Sequence, residues 1–289
     1  MPELPEVEVV KRSLKKKIQN LIIKKVKIND GNLRYKVDKV EISKLIGKRV
    51  KKISRRSKFL IFEFDQDKLM LVHLGMTGKF FFVNQIKKKF KTSFYYDLDL
   101  KKDFKHDRVI FIFKNNQKLI YNDMRKFGFI KLLHSKKYSK NLHIKNLGPE
   151  PLNKNFNTTY FKKYVSGRNR KIKNILMDQK CVSGLGNIYV NEILFLSGIS
   201  PFRKVAKLKD FEINKIIKST KNILKKSIKL GGSSIKDFSS GDGKKGKYQF
   251  FFHVYGRKGE KCSNVDCNSR VLKTVISNRS SFFCKSCQK

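Results

Sequence analysis

The chain has 289 residues, with 68 Lys or Arg against 23 Asp or Glu, a formal net charge of +45. That length can bury a sizeable core, which excludes a peptide or a charged tail. No apolar run reaches the roughly 18–20 residues of a membrane-spanning helix, and the first stretch has no hydrophobic signal core, so a cytoplasmic protein is expected.

A charge of this size fits a polyanionic partner, nucleic acid foremost, because clustered Lys and Arg release counterions from phosphate on binding. A second origin of the charge stays open. Ala206 is the only alanine in a text rich in Lys, Asn, Ile and Phe, a skew of the kind an AT-rich genome gives, in which many lysines are solvated filler.

Val7, Val10, Leu14 and Ile18 recur at helical spacing behind Pro5, which suits a first-turn position, and predict a leading helix over 5–19. From 21 to 134 the text turns to short β-rich runs, LIIKKVKI, FLIFEF, LMLVHL, KFFFV, VIFIF and FGFIKLL, parted by Gly, Asn, Asp and Lys clusters. These predict a β-sandwich or barrel-like domain over 1–135. A polar stretch with Gly148, Pro149 and Pro151 predicts a linker at 136–152. Apolar residues three and four apart in TTYFKKYV, RKIKNILMD, NIYVNEILFLSGI and DFEINKIIKSTKNILKKSIKL predict a helical domain over 153–232, the last helix stopping at Gly231-Gly232. A polar, glycine-bearing loop then leads into a cysteine module, the two together spanning 233–289. The fold class expected is α+β.

Cys262, Cys267, Cys284 and Cys287 form C-x4-C, a sixteen-residue gap and C-x2-C. Two close pairs can present four thiolates to one tetrahedral Zn2+, with VLKTVISNRSSFF between them as a β-hairpin. A closed four-thiolate site has no open coordination position, so the metal expected is structural. The remaining thiol, Cys181, is expected to be buried. Arg279 lies on the hairpin, where a guanidinium can clamp a phosphate; a solvated arginine is the other reading.

The start, MPELPEVEVV, gathers acids in a basic protein. Proline at position 2 permits removal of Met1, which leaves a secondary amine at the terminus. An α-amino group titrates near 8 against about 10.4 for lysine, so more of it is nucleophilic at neutral pH. Attack of such an amine on a sugar C1′ gives an iminium ion that stays cationic and can serve as an electron sink for elimination. That chemistry needs a carboxyl group beside it, and Glu3 is adjacent to Pro2, while Glu6 falls in the first helical turn. Glu3, Glu6 and Glu8 can equally be helix-capping residues.

PELPEVE resembles the N-terminus of the formamidopyrimidine-DNA glycosylase family, bacterial enzymes that excise oxidised purines. Further motifs agree in kind and order: SRRSKFLIF at 54–62, HLGMTGKF at 73–80, NDMRKFG at 122–128, GLGNIYVNE at 184–192, and VYGRKGEKC through SCQK at the end. The resemblance covers essentially the whole chain. It implies a helix-two-turn-helix in the helical domain, a zinc finger at the end, and glycosylase and AP lyase activity on duplex DNA containing damaged purines, by a monomer with one structural Zn2+. By residue, it implies Pro2 as nucleophile, Glu3 as acid/base, Glu6 as a further active-site acid and Lys58 as a lysine near the lesion and its phosphate. His73, Asn187 and Arg279 become DNA-backbone contacts. Met76, Arg125 and Phe127 become the three side chains inserted where the damaged nucleotide leaves the stack. The segment 231–247 corresponds to the loop that closes over the extruded base. Where this chain has C-x4-C, many relatives have C-x2-C. An endonuclease VIII-like enzyme for oxidised pyrimidines, usually starting PEGPE, and a non-catalytic zinc-ribbon nucleic-acid-binding protein are the competing expectations.

Overall fold

The computed structural model describes residues 1–83, 89–91 (backbone only), 104–233 and 246–289. Residues 234–245, most of the expected lesion-closing loop, lie outside the described residues. Packing divides the chain into two units, one of Met1–Lys145 with Leu230–Lys247 and one of Asn146–Lys229 with Tyr248–Lys289. This grouping differs from a reading segment by segment, because the chain returns to the first unit after its helices and then re-enters the second.

The first unit runs α1 (Leu4–Ile18), β1 (Ile23–Ile28), α2 (Lys39–Ser43), β2 (Val50–Arg56), β3 (Phe59–Phe64), β4 (Lys68–His73), β5 (Lys79–Val83), β6 (Lys89–Lys91), β7 (Asp107–Phe113), β8 (Lys118–Asn122) and β9 (Phe129–His134). Its strands form a five-stranded sheet in the order β1-β7-β8-β5-β6 and a four-stranded sheet in the order β2-β3-β4-β9. Every pairing is antiparallel. Phe62 on β3 and Phe80 on β5 meet edge-on between the two sheets with centroids 5.9 Å apart, and Tyr121 on β8, the cross-strand partner of Phe80, stands 5.3 Å from it. Val7, Val10, Leu14 and Ile18, one face of α1, belong to the same apolar core. The expected sandwich with a leading helix is therefore present. The helix starts where it does because Glu3 and Glu6 make a reciprocal capping box with proline in the first turn, and Lys15, Lys16 and Lys17 face the negative end of its dipole.

The second unit holds α3 (Thr158–Val165), α4 (Ile172–Met177), α5 (Asn187–Leu196), α6 (Asp210–Lys229), and a hairpin of β10 (Leu272–Ile276) and β11 (Arg279–Phe283). In α6 the buried residues Ile213, Ile216, Ile217, Thr220, Ile223 and Leu224 keep the three-and-four spacing read from the sequence. The hairpin turns at Ser277 and Asn278, with φ of 47° and 57°, the left-handed pair that a two-residue turn needs to match strand twist. Beside it, Phe195, Val254, Val271 and Phe282 pack around Cys262, Cys267 and Cys284 as a small separate core. Cys181 is buried, as expected, and burial pushes its thiol up to about 12. Among the described residues no helix is long and apolar enough to cross a membrane.

Because Phe80 is fully buried between aromatic neighbours of both sheets, Phe80→Ala should leave a cavity that the sandwich cannot close. Urea unfolding followed by far-UV circular dichroism should show a loss of about 3–5 kcal/mol for the transition of this unit. A shift under about 1 kcal/mol would mean that the core here collapses around the gap.

Candidate active site and nucleic-acid interface

The N-terminus of a chain is anchored on one side only, so its position depends on contacts. Pro2 and Glu3 are buried at the head of α1. The Glu6 carboxylate supplies much of the hold: Oε2 accepts the Glu3 backbone N–H at 2.9 Å, and Oε1 accepts the Ser233 N–H at 2.9 Å and the Ser233 hydroxyl at 3.0 Å. Gly232 has φ +81°, and a Cβ there would come within 3.0 Å of Glu6 Oε1, so glycine lets the 230–233 segment approach the carboxylate. Glu8 is spent differently, on Arg55 at 3.1 Å, Arg12 at 2.9 Å and Lys11 at 2.7 Å, which fastens α1 to β2.

The terminal amine, carried here on Met1, is held below the ordinary α-amino value by burial, with Lys58 and Arg125 acting in the same direction and Glu3 and Glu6 opposing them. Lys58, Arg125, Glu3 and Glu6 are thus gathered around the start of the chain. Lys58 is buried in the tight turn between β2 and β3, where Ser57 has φ +56°.

His73, the last residue of β4, sits in register between Phe59 on β3 and Phe129 on β9 and stacks on Phe129 with centroids 5.7 Å apart. Burial, then the charges of Lys58 and Arg34, lower its pKa to about 4, so the ring is neutral at physiological pH. Nδ1 accepts the Gly75 N–H at 3.1 Å, which assigns the ring proton to Nε2 and makes His73 a neutral donor.

Residue type alone would place Met76 and Phe127 in the core, but the structure puts both in turns. Met76 lies between β4 and β5 and is half-buried. Phe127, between β8 and β9, is 45% exposed, with the Arg125 guanidinium 4.7 Å above its ring.

In the second unit, Asn187 opens α5 and its side-chain amide donates to the Ser280 carbonyl at 2.9 Å, next to Arg279 on the hairpin. The same carbonyl accepts from Lys173 Nζ at 2.9 Å, and Lys173 also donates to the Ser281 hydroxyl at 2.6 Å. Asn191 Oδ1 accepts the Phe282 N–H at 2.8 Å. Together these contacts seat the strand that carries Arg279. Lys173 is almost wholly buried, and that burial, helped by the charge of Arg279, lowers its pKa to about 8. Sequence reading missed Lys173; its one signal is a lysine flanked by Ile172, Ile175 and Leu176 on a short helix. Glu192 was missed likewise. It is fully buried and accepts the backbone N–H groups of His253, Val254 and Tyr255 at 2.8, 3.0 and 2.8 Å, fixing the approach to the cysteine module.

The four sulfurs of Cys262, Cys267, Cys284 and Cys287 lie within 4.8 Å of one another. Cys262 and Cys287 are 3.8 Å apart and Cys267 and Cys284 3.7 Å, too long for disulfides. Four ligands at about 2.3 Å around a tetrahedral ion would sit at about such separations, so the cluster fits a metal of the zinc type.

Comparison with known proteins agrees along the whole chain. The formamidopyrimidine-DNA glycosylase N-terminal domain model matches residues 1–130, and the formamidopyrimidine-DNA glycosylase H2TH domain model matches residues 147–239. The formamidopyrimidine-DNA glycosylase of Rickettsia bellii is 41% identical, with 100% of each chain covered. Among solved structures, a point mutant of Lactococcus lactis FPG in complex with a Fapy-dG containing DNA superposes with a TM-score of 0.86 at 36% identity, covering 100% of both chains. The complex between the Lactococcus lactis Fpg and an abasic site containing DNA gives a TM-score of 0.85 at 36% identity over 99% of each. With both domain models matched in order and full-length relatives at this identity, the chain belongs to the formamidopyrimidine-DNA glycosylase family.

Proposed function

We propose that the chain is a cytoplasmic, monomeric DNA glycosylase and AP lyase of base excision repair that removes oxidised purines, 8-oxoguanine and formamidopyrimidines, from duplex DNA. The observation that carries this reading is the start of the chain: Pro2 and Glu3 buried at the head of α1, where burial lowers the pKa of a terminal amine, in a member of this family.

Removal of Met1 leaves the Pro2 amine in those surroundings. The neutral amine attacks C1′ of the damaged nucleotide, the glycosidic bond breaks, and the base departs with its electron pair and takes up the proton that the amine gives up. Glu3 protonates the opening sugar oxygen. The resulting iminium ion draws electrons during loss of the proton at C2′, which expels the 3′ phosphate, and a second elimination expels the 5′ phosphate. Lys58 neutralises phosphate charge beside the reacting sugar. Glu6, its carboxylate committed to Glu3 and Ser233, holds the terminus rather than moving protons. Met76, Arg125 and Phe127 fill the space left by the extruded nucleotide, Arg125 hydrogen-bonding the orphaned base. Asn187 with the α5 N-terminus, Arg279 and His73 bind phosphates. Cys262, Cys267, Cys284 and Cys287 hold one structural Zn2+, which keeps the Arg279 hairpin in shape.

Glu3→Gln removes the acid and keeps the amine. It should slow excision of 8-oxoguanine by about 100-fold or more while impairing cleavage of a preformed abasic site much less. Single-turnover rates on the two duplexes measure this, and equal loss on both would refute the assigned role of Glu3.

Because His73 is a neutral donor and Arg279 a cation, their loss should differ in salt dependence. Arg279→Ala should weaken DNA binding and reduce the slope of log K against log salt by about 0.9, whereas His73→Gln should weaken binding with the slope unchanged. The His73 contribution should also be flat from pH 6 to 8, since its pKa of about 4 lies below that window. A titration series by fluorescence anisotropy would show both, and a reduced slope for His73→Gln would mean that the ring binds as a cation.

A further inference from the structure

The three side chains assigned to fill the duplex come from two separate turns, Leu74–Gly78 and Asp123–Gly128, joined in sequence only through the intervening strands. For Met76, Arg125 and Phe127 to enter a base stack together, those turns must keep a fixed spacing, because energy spent on moving them is lost to unstacking the bases.

Beneath these side chains lies a buried polar cluster. Thr77 Oγ1 donates to Asp123 Oδ1 and accepts the Arg125 backbone N–H at 2.9 Å. Asp123 Oδ2 accepts the Gly128 N–H at 2.8 Å and shares the Tyr121 hydroxyl, at 3.4 Å, with the His73 carbonyl at 3.3 Å. Asp123 has no exposed surface and Thr77 almost none. Burial, then Asp123, raise the Tyr121 phenol well above its ordinary value, so it stays a donor. The two turns also touch: a Cβ at Gly75 would fall 2.4 Å from the Gly128 backbone nitrogen, and one at Gly128 would fall 1.8 Å from the Tyr121 hydroxyl oxygen. Outside, Arg108 Nε donates to the Asp123 carbonyl at 2.9 Å, and Lys126, at φ +59°, reaches Asp30 at 2.8 Å. Each turn is therefore held to the other, and the second turn to the strands behind it.

We propose that Thr77 and Asp123 are positioning residues that latch the Met76 turn to the Arg125–Phe127 turn, so that the three inserted side chains act as one preformed wedge. This rests on the insertion role given above to those three residues. The Thr77 hydroxyl is the central link, since it bonds the Asp123 side chain and the Arg125 main chain at once.

Thr77→Val keeps the shape and removes the hydroxyl, and Thr77→Ser restores it. With 2-aminopurine beside the cytosine opposite 8-oxoguanine, the fluorescence rise on binding reports wedge insertion, and single-turnover excision on the same duplex reports its consequence. Thr77→Val should blunt the rise and slow excision by at least about tenfold, with Thr77→Ser within about twofold of the parent enzyme. Asp123→Asn, which replaces an acceptor by a donor, should act in the same direction and serves if Thr77→Val does not fold by circular dichroism. Phe127→Ala, measured beside them, separates the two ideas. If it loses both signals while Thr77→Val and Asp123→Asn keep them, or if Thr77→Ser fails to recover them, the latch is wrong. If Phe127→Ala itself behaves as the parent enzyme, the insertion role is wrong.

Discussion

A reactive group at the very end of a polypeptide has one covalent attachment and must be positioned by what it touches. In this chain the Glu6 carboxylate carries that constraint. One oxygen receives the N–H of Glu3, the residue after Pro2, and the other receives Ser233, more than two hundred residues later in the chain. Charge-assisted hydrogen bonds of this kind are worth about 1.5–3 kcal/mol each, enough to order a terminus that would otherwise fray. The start of the chain and the root of the 234–245 segment thereby share one carboxylate.

The acids at the N-terminus divide their work by geometry. Glu8 is neutralised by Arg55, Lys11 and Arg12 and anchors the helix to the sandwich. Glu6 anchors the backbone. Glu3, at the N-cap beside Pro2, is the carboxylate that the proposed chemistry uses. Burial lowers the pKa of a terminal amine here, and the cations Lys58 and Arg125 add to it against the opposing pull of Glu3 and Glu6; the same two cations suit a phosphate-bearing substrate.

Features set by local pattern were legible in the sequence. The apolar runs of β3, β4, β5, β7 and β9, the helical spacing of α1 and α3–α6, and the hairpin between the cysteine pairs all rest on residues close in the chain. β2 escaped because four of the seven residues of VKKISRR are Lys or Arg, and β8 because KLIYN is short; β2 pairs with β3, and β8 lies between β5 and β7. α2 escaped for its shortness; five residues capped by Asp38 give little periodicity. The candidate site divides the same way. The cysteine spacing shows in the text, whereas Thr77 with Asp123, Lys173 with Ser280 and Glu6 with Ser233 are pairs separated by dozens to hundreds of residues. Nothing in a lysine on a short helix announces that folding will bury it. The exposure of Phe127 was opposite to what its type suggests, because the turn that carries it is fixed from below by Asp123 and leaves the ring outside.

The central claim is that the Pro2 amine attacks the sugar, and it can be tested by trapping the intermediate. Purified protein would be incubated with duplex DNA carrying one 8-oxoguanine opposite cytosine, reduced with borohydride, digested and mapped by mass spectrometry. The account predicts a covalent DNA adduct on the nitrogen of Pro2, in chains from which Met1 has been removed. An adduct on Lys58 or another lysine, or excision of the base with no adduct at the terminus, would contradict it.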